Sequence, residues 1–73
     1  METIEFEAPF GDEKKHVRIS QPSGAEGYQV MIDGFYQGIL IKREGQWFGH
    51  LNENSQLTAD DIQALGQIID SRM

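Results

Sequence analysis

Three turn signals that contain glycine divide the first part of the chain into short runs, and this spacing favours β-hairpins. The signals are Gly11-Asp12, Asp33-Gly34 and Glu44-Gly45. Asp-Gly is a strong cue for a two-residue hairpin turn, and a glycine at the first central position suits a second type of two-residue turn. Around these signals, apolar and polar residues alternate, as in strands that bury one face. The sequence therefore predicts an antiparallel sheet made of consecutive hairpins.

The first hairpin predicts its own register. If Gly11-Asp12 forms a two-residue turn, apolar residues lie opposite one another on one face and oppositely charged residues on the other. The predicted pairs are Ile4 with Ile19, Phe6 with Val17, Glu5 with Arg18, and Glu7 with His16. One register satisfies both faces, so this hairpin is the best-defined part of the predicted sheet.

The C-terminal segment predicts a single helix over residues 59–71. Thr58 is a suitable N-cap, and Asp61 three residues later can complete a variant of the capping box. One stripe of the helix carries Ile62, Leu65, Ile69 and Met73. Gly66 interrupts the stripe at a cost of about 1 kcal/mol relative to alanine. We interpret this glycine as a point of close contact between helix and sheet.

The predicted fold is α+β, with an antiparallel β-meander of four to five strands and one C-terminal helix packed on one face in two layers. Residues 1–73 are predicted to form a single small domain. The predicted strands span about 2–8, 14–20, 27–32, 35–42 and 46–51. The sequence leaves open whether the second strand pairs with the third.

Charge and composition limit the classes of partner. Twelve acidic residues against six basic ones give a net charge of −6, which disfavours binding to a phosphate backbone. No run of eighteen apolar residues predicts a membrane span, and "METIEFEAPF" lacks the basic start of a secretory signal. A cytoplasmic protein that binds neither nucleic acid nor membrane is expected. The chain contains no cysteine.

The sequence predicts no enzyme. A thiol nucleophile is absent, the serines lie in no nucleophile-elbow pattern, and no glycine-rich stretch has the lysine of a phosphate-binding loop. His16 is predicted to face outward opposite Glu7, and His50 to lie on the inner face opposite Ile39. Neither arrangement predicts a metal site, and no cofactor is expected.

Two stretches, "YQGIL" (36–40) and "WFGHL" (47–51), repeat the pattern aromatic-x-Gly-x-Leu. In an uninterrupted register, Leu40 lies opposite Gly49 and Leu51 opposite Gly38. With Tyr28 opposite Ile39, both repeats fall on the outer face, away from the helix. The predicted core face carries Tyr28, Val30, Ile32, Phe35, Ile39, Ile41 and Phe48. The predicted interaction face consists of Met31, Tyr36, Gly38, Leu40, Trp47, Gly49 and Leu51.

The leading hypothesis is a non-enzymatic interaction module that uses this outer face to bind a second copy, as a homodimer, or an unknown protein. One alternative is an acidic inhibitor or immunity-type protein that docks on a basic partner. Another is a small-molecule binder that uses Tyr36 and Trp47 as a stacking platform. A third is that the loop 20–27 or the N-terminal segment covers the outer face.

Overall fold

Five strands form one antiparallel sheet in the computed structural model, which describes residues 2–72. Each strand pairs with the next one along the chain, so β2 does pair with β3. The strands are β1 (Glu2–Phe10), β2 (Glu13–Gln21), β3 (Tyr28–Ile32), β4 (Phe35–Arg43) and β5 (Gln46–Leu51), and the helix is α1 (Ala59–Arg72). The helix packs against one face of the sheet, which confirms the predicted two-layer α+β fold.

All three turn signals form two-residue hairpin turns. Asp33 and Glu44 adopt the left-handed conformation, with φ values of 51° and 54°, and each is followed by a glycine with positive φ. Two consecutive residues with positive φ define the turn whose twist matches that of the flanking strands. The register of the first hairpin is as predicted along its whole length, from Glu2 opposite Gln21 to Phe10 opposite Glu13.

A β-bulge in β4 changes the orientation of everything that follows it. Met31 lies opposite Tyr36, as predicted, but the preceding residue of β3, Val30, lies opposite Gly38. Gln37 is therefore an extra residue with no partner on β3. A shift of one residue moves every later side chain to the other face of the sheet. The predicted pairing of Tyr28 with Ile39 is wrong for this reason, because Tyr28 lies opposite Leu40.

Hydrogen bonds of Gln37 tie the bulge to the segment that leads to the helix. Its side chain is buried, with 3% of its surface exposed. The Gln37 Oε1 accepts hydrogen bonds from Ser55 Oγ at 3.0 Å and from Gln56 N at 3.1 Å, and Nε2 donates to Phe35 O at 3.2 Å. The Gln37 carbonyl accepts from Asn52 N at 2.8 Å. The side chain and carbonyl of the extra residue are thus hydrogen-bonded, and they hold the β5–α1 connection in place.

The helix begins as predicted. Thr58 N donates to Asp61 Oδ2 at 2.9 Å, and Asp61 N donates to Thr58 Oγ1 at 3.3 Å, so the capping box is reciprocal. The core between helix and sheet contains Val17, Ile19, Val30, Ile32, Leu40, Trp47, Leu57, Leu65 and Ile69. The core therefore draws on the centre of the sheet and on the buried stripe of α1.

The bulge predicts that substitution by alanine destabilises the protein by different amounts at two glycines. Gly38 has a φ of 147°, and a Cβ there would lie 2.5 Å from His50 O and 2.7 Å from Leu51 Cα. Gly34 also has positive φ, but a Cβ would meet nothing within 4 Å. We expect Gly38→Ala to lower the free energy of unfolding by about 3 kcal/mol and Gly34→Ala by about 1 kcal/mol. Urea unfolding measures both; equal losses would contradict a special role for the bulge.

Candidate interaction surface

Most residues of the predicted interaction face lie on the helix side of the sheet. The prediction that they form one outer surface is therefore wrong. Leu40 is fully buried and Trp47 is 6% exposed. Gly38 is buried, and Leu51 packs against the core. Gly49 lies beneath the helix, since a Cβ there would be 2.6 Å from Ile62 Cδ1. Of the predicted set, Met31 and Tyr36 remain on the outer face.

The cross-strand pairs within the repeated pattern are nevertheless correct. Leu40 lies opposite Gly49, Gly38 opposite Leu51, and Trp47 opposite Lys42. The bulge inverts β4 and β5 together, so their mutual register is preserved while both change face. Apart from Tyr36, the large residues that the repeated pattern specifies therefore face the helix.

Trp47 is held from several sides. Its ring meets that of Tyr28 edge-on, with centroids 5.6 Å apart and planes at 64°. Its Nε1 donates to Asp70 Oδ2 at 3.3 Å. A Cβ on Gly66 would overlap the indole, so the helix approaches the sheet where it has no side chain. Tyr36 lies on the opposite face, and the hypothesis of a Tyr36/Trp47 stacking platform is therefore wrong.

The close contact at Gly66 predicts that alanine at this position destabilises the protein, although helix propensity alone favours alanine. Alanine is the better helix former by about 1 kcal/mol, yet overpacking against a buried ring costs about 1–3 kcal/mol. We expect Gly66→Ala to destabilise the protein and to shift the Trp47 emission to the red. The control is Ala64→Gly, at an exposed position of the same helix, with an expected loss of about 1 kcal/mol. A stabilised Gly66→Ala protein would contradict the close packing.

Asp70 connects the helix to the end of β4 and β5. Its Oδ1 accepts a hydrogen bond from Lys42 Nζ at 2.8 Å, and Lys42 Nζ also lies 5.8 Å from the Trp47 ring centroid. The hydrogen bond from Lys42, followed by that from Trp47, lowers the pKa of Asp70 below its usual value. The carboxylate is thus the form that the folded protein favours.

This lowered pKa predicts how the contribution of Asp70 to stability changes with pH. Folded Asp70 remains ionised where the unfolded chain already binds a proton, so its contribution to stability is present above the usual aspartate pKa. The contribution is lost as the pH falls through the lowered folded-state pKa. We expect Asp70→Asn to reduce stability at neutral pH and the difference from the wild type to shrink in acid. Urea unfolding of the wild type and Asp70→Asn across pH measures this difference in unfolding free energy, and the exposed Glu53→Gln is the control. A difference that does not change with pH would be inconsistent with this linkage.

The bulge exposes a different set of apolar side chains on the outer face. Tyr36 and Phe48 are 43% and 49% exposed. We use the name outer patch for Met31, Tyr36, Ile39, Ile41 and Phe48. The prediction that three of these, Ile39, Ile41 and Phe48, lie on the core face is wrong.

Gly27, the residue before β3, lies against part of the outer patch. A Cβ on Gly27 would overlap Ile39 Cγ2 and lie 3.6 Å from Ile41 Cγ1, so both isoleucines lie against the backbone there and are half-buried. Tyr36 and Phe48 remain exposed beside them. Loop 20–27 therefore contacts the outer face at the two isoleucines but leaves Tyr36 and Phe48 uncovered.

Two exposed ion pairs lie outside the outer patch. His16 lies opposite Glu7 across the two strands, as predicted, and its Nε2 is 3.0 Å from Glu5 Oε1. Arg43 Nη2 donates to Glu26 Oε2 at 3.3 Å. Both pairs are solvent-exposed, and such pairs contribute little stability. An open hollow of about 490 Å³ lies beside Phe48 at the β4–β5 turn.

Two further side chains differ from prediction. His50 does lie opposite Ile39, but on the outer face, where it is exposed. Phe35 remains opposite the buried Ile32, on the helix side, yet it lies next to the turn and is 74% exposed. Phe35 is therefore an exposed aromatic residue on the other face of the sheet from the outer patch.

The sheet has two open edges, β1 and β5. Backbone groups of successive residues in a strand point alternately to the two sides. Asn52 N donates to Gln37 O, so the groups of Phe48 and His50 point toward β4. Those of Trp47, Gly49 and Leu51 point to the open side. Gln63 Nε2 donates to Trp47 O at 3.0 Å, which agrees with this assignment.

Within residues 2–72, no group of three or more His, Asp or Glu side chains is placed to hold a metal ion. Over the same residues, no buried side-chain nitrogen or oxygen lacks a hydrogen-bond partner. The helix in this part of the chain is too short and too polar to cross a membrane. No protein-family model matches the chain, and no curated protein or solved structure matches it significantly.

Proposed function

We propose that the protein is a non-enzymatic interaction module that associates with a second copy of itself on the outer-patch side of the sheet. The observation that carries the proposal is the exposure of Phe48 and Tyr36 next to Met31, Ile39 and Ile41, on a face that the helix does not cover. An exposed group of apolar residues of this kind is typical of an interaction site.

The residue types support binding to protein. Aromatic residues and methionine are enriched at interface centres, and charged residues are depleted there. The outer patch has two aromatic rings, one methionine and no charge. A symmetric dimer is the simplest occupant, because two-fold symmetric pairs are the commonest assemblies.

The distribution of charge also favours a second copy at this place. Each chain carries a net charge of −6, so two copies repel each other where their acidic residues meet. Glu5 and Glu7 lie on β1, and Asp60 and Asp61 lie in the first turn of α1. The outer patch extends to β5, at the opposite edge of the sheet from β1, so contact at its β5 end keeps these carboxylates away from the interface.

The proposal predicts that Phe48→Glu weakens self-association by about tenfold or more, because a carboxylate would be placed in an apolar interface. Phe35→Glu is the matched control: it makes the same change at an exposed phenylalanine that lies outside the outer patch. Sedimentation equilibrium over a wide concentration range measures both variants, and circular dichroism checks their folding.

Two results would count against the proposal. A wild-type protein that stays monomeric at every concentration has no self-association to explain. Equal weakening by Phe48→Glu and Phe35→Glu would mean that general charge repulsion, and not the outer patch, controls association. A steep salt dependence with a basic partner would instead support the acidic-inhibitor alternative.

A further inference from the structure

We propose that two copies join through β5, whose open edges pair antiparallel about a two-fold axis at Gly49 so that the two sheets become one. This inference rests on the proposed self-association and specifies its geometry. The dimer is thus formed by strand addition at the sheet edge, and not by stacking of two outer faces.

The two open edges differ in how they are protected. Natural sheets discourage edge pairing with charged residues and proline. β1 has both, in Glu2, Glu5, Glu7 and Pro9. β5, with the sequence QWFGHL, contains no proline, aspartate, glutamate, lysine or arginine. Only β5 therefore lacks the features that keep an edge unpaired.

The backbone of β5 offers a complete set of bonding groups to a second copy. Centred on Gly49, the register places Gly49 opposite Gly49 of the second copy and Trp47 opposite Leu51 of the second copy. All three residues whose groups point to the open side are then used. The Trp47 carbonyl already accepts from Gln63 Nε2, and its second lone pair remains for the new bond.

Side chains fit this register on both faces. On the outer face, Phe48 lies opposite His50 of the second copy, so the two outer patches meet along the junction. On the helix side, Gly49 brings no side chain to the axis. Each Ile62 already lies over the glycine of its own chain.

Other edge pairings are less favourable. Two β1 strands would bring their glutamates together, and like charges at cross-strand positions are destabilising. Pairing of β5 with β1 of the next copy does not close and would continue as an open chain. Pairing of β5 with β5 gives a closed dimer and leaves both β1 strands at the outer ends.

Amide hydrogen exchange, measured residue by residue by NMR at high and low protein concentration, tests the geometry. We expect the Gly49 and Leu51 amides to exchange slowly in the dimer and to become faster on dilution. The amides of Glu5 and Glu7, which point to the open side of β1 by the same alternation, should exchange rapidly at both concentrations.

The outcomes separate this inference from the proposed function. A dimer in which Gly49 and Leu51 exchange as rapidly as Glu5 and Glu7 would overturn pairing through β5 but leave self-association intact. A protein that is monomeric throughout would overturn both. Protection of Gly49 and Leu51 that does not depend on concentration would also overturn β5 pairing, since it would originate within one chain.

A pair of variants gives an independent test. His50→Glu would place a carboxylate opposite Phe48 of the second copy, on both sides of the axis, and should weaken the dimer by about tenfold or more. Tyr36→Glu adds the same charge on the outer face but farther from the β5 edge, and should weaken the dimer less than His50→Glu does. The reverse order would overturn edge pairing in favour of stacked faces.

Discussion

The extra residue at Gln37 is the constraint on which the arrangement of the sheet depends. It shifts the β3–β4 pairing by one residue, so Leu40 and Trp47 turn toward the helix while Ile41 and Phe48 turn away from it. The bulge persists because its polar groups are satisfied by the segment after β5. Without those hydrogen bonds, a buried amide would carry a desolvation cost that an uninterrupted strand avoids.

The bulge and the helix contact support each other. Once Trp47 faces the helix, its ring needs space that only a residue without a side chain can give, and Gly66 provides it. The hydrogen bond from Trp47 Nε1 to Asp70 then fixes the end of the helix over the same ring. The aromatic-x-Gly-x-Leu pattern thus has two roles. Its glycines allow the bulge and the close approach of the helix, and Leu40, Trp47 and Leu51 fill the space between helix and sheet.

Most of the fold could be predicted because its signals are local. Residues next to one another define the turns at Asp33-Gly34 and Glu44-Gly45, and a capping box defines the start of the helix. The candidate site was harder to predict than the fold. Which face of the sheet a side chain occupies depends on every residue between the turn and the site. The glycine inside β4, Gly38, was the available signal, since an interior glycine in a strand often marks a bulge. What the sequence pattern could not indicate was that Gln37 would find its partners in Ser55 and Gln56, far along the chain.

A self-associating sheet edge also agrees with the size of the chain. A protein of 73 residues buries only about 60% of its unfolded surface, so its own core leaves a small margin of stability. Pairing at β5 would add hydrogen bonds and apolar contacts to the strand that also carries Trp47, the centre of the helix contact. Dimerisation would then stabilise the bulged hairpin itself. A higher protein concentration, which favours the dimer, should therefore also raise the unfolding temperature, as expected when association is linked to folding.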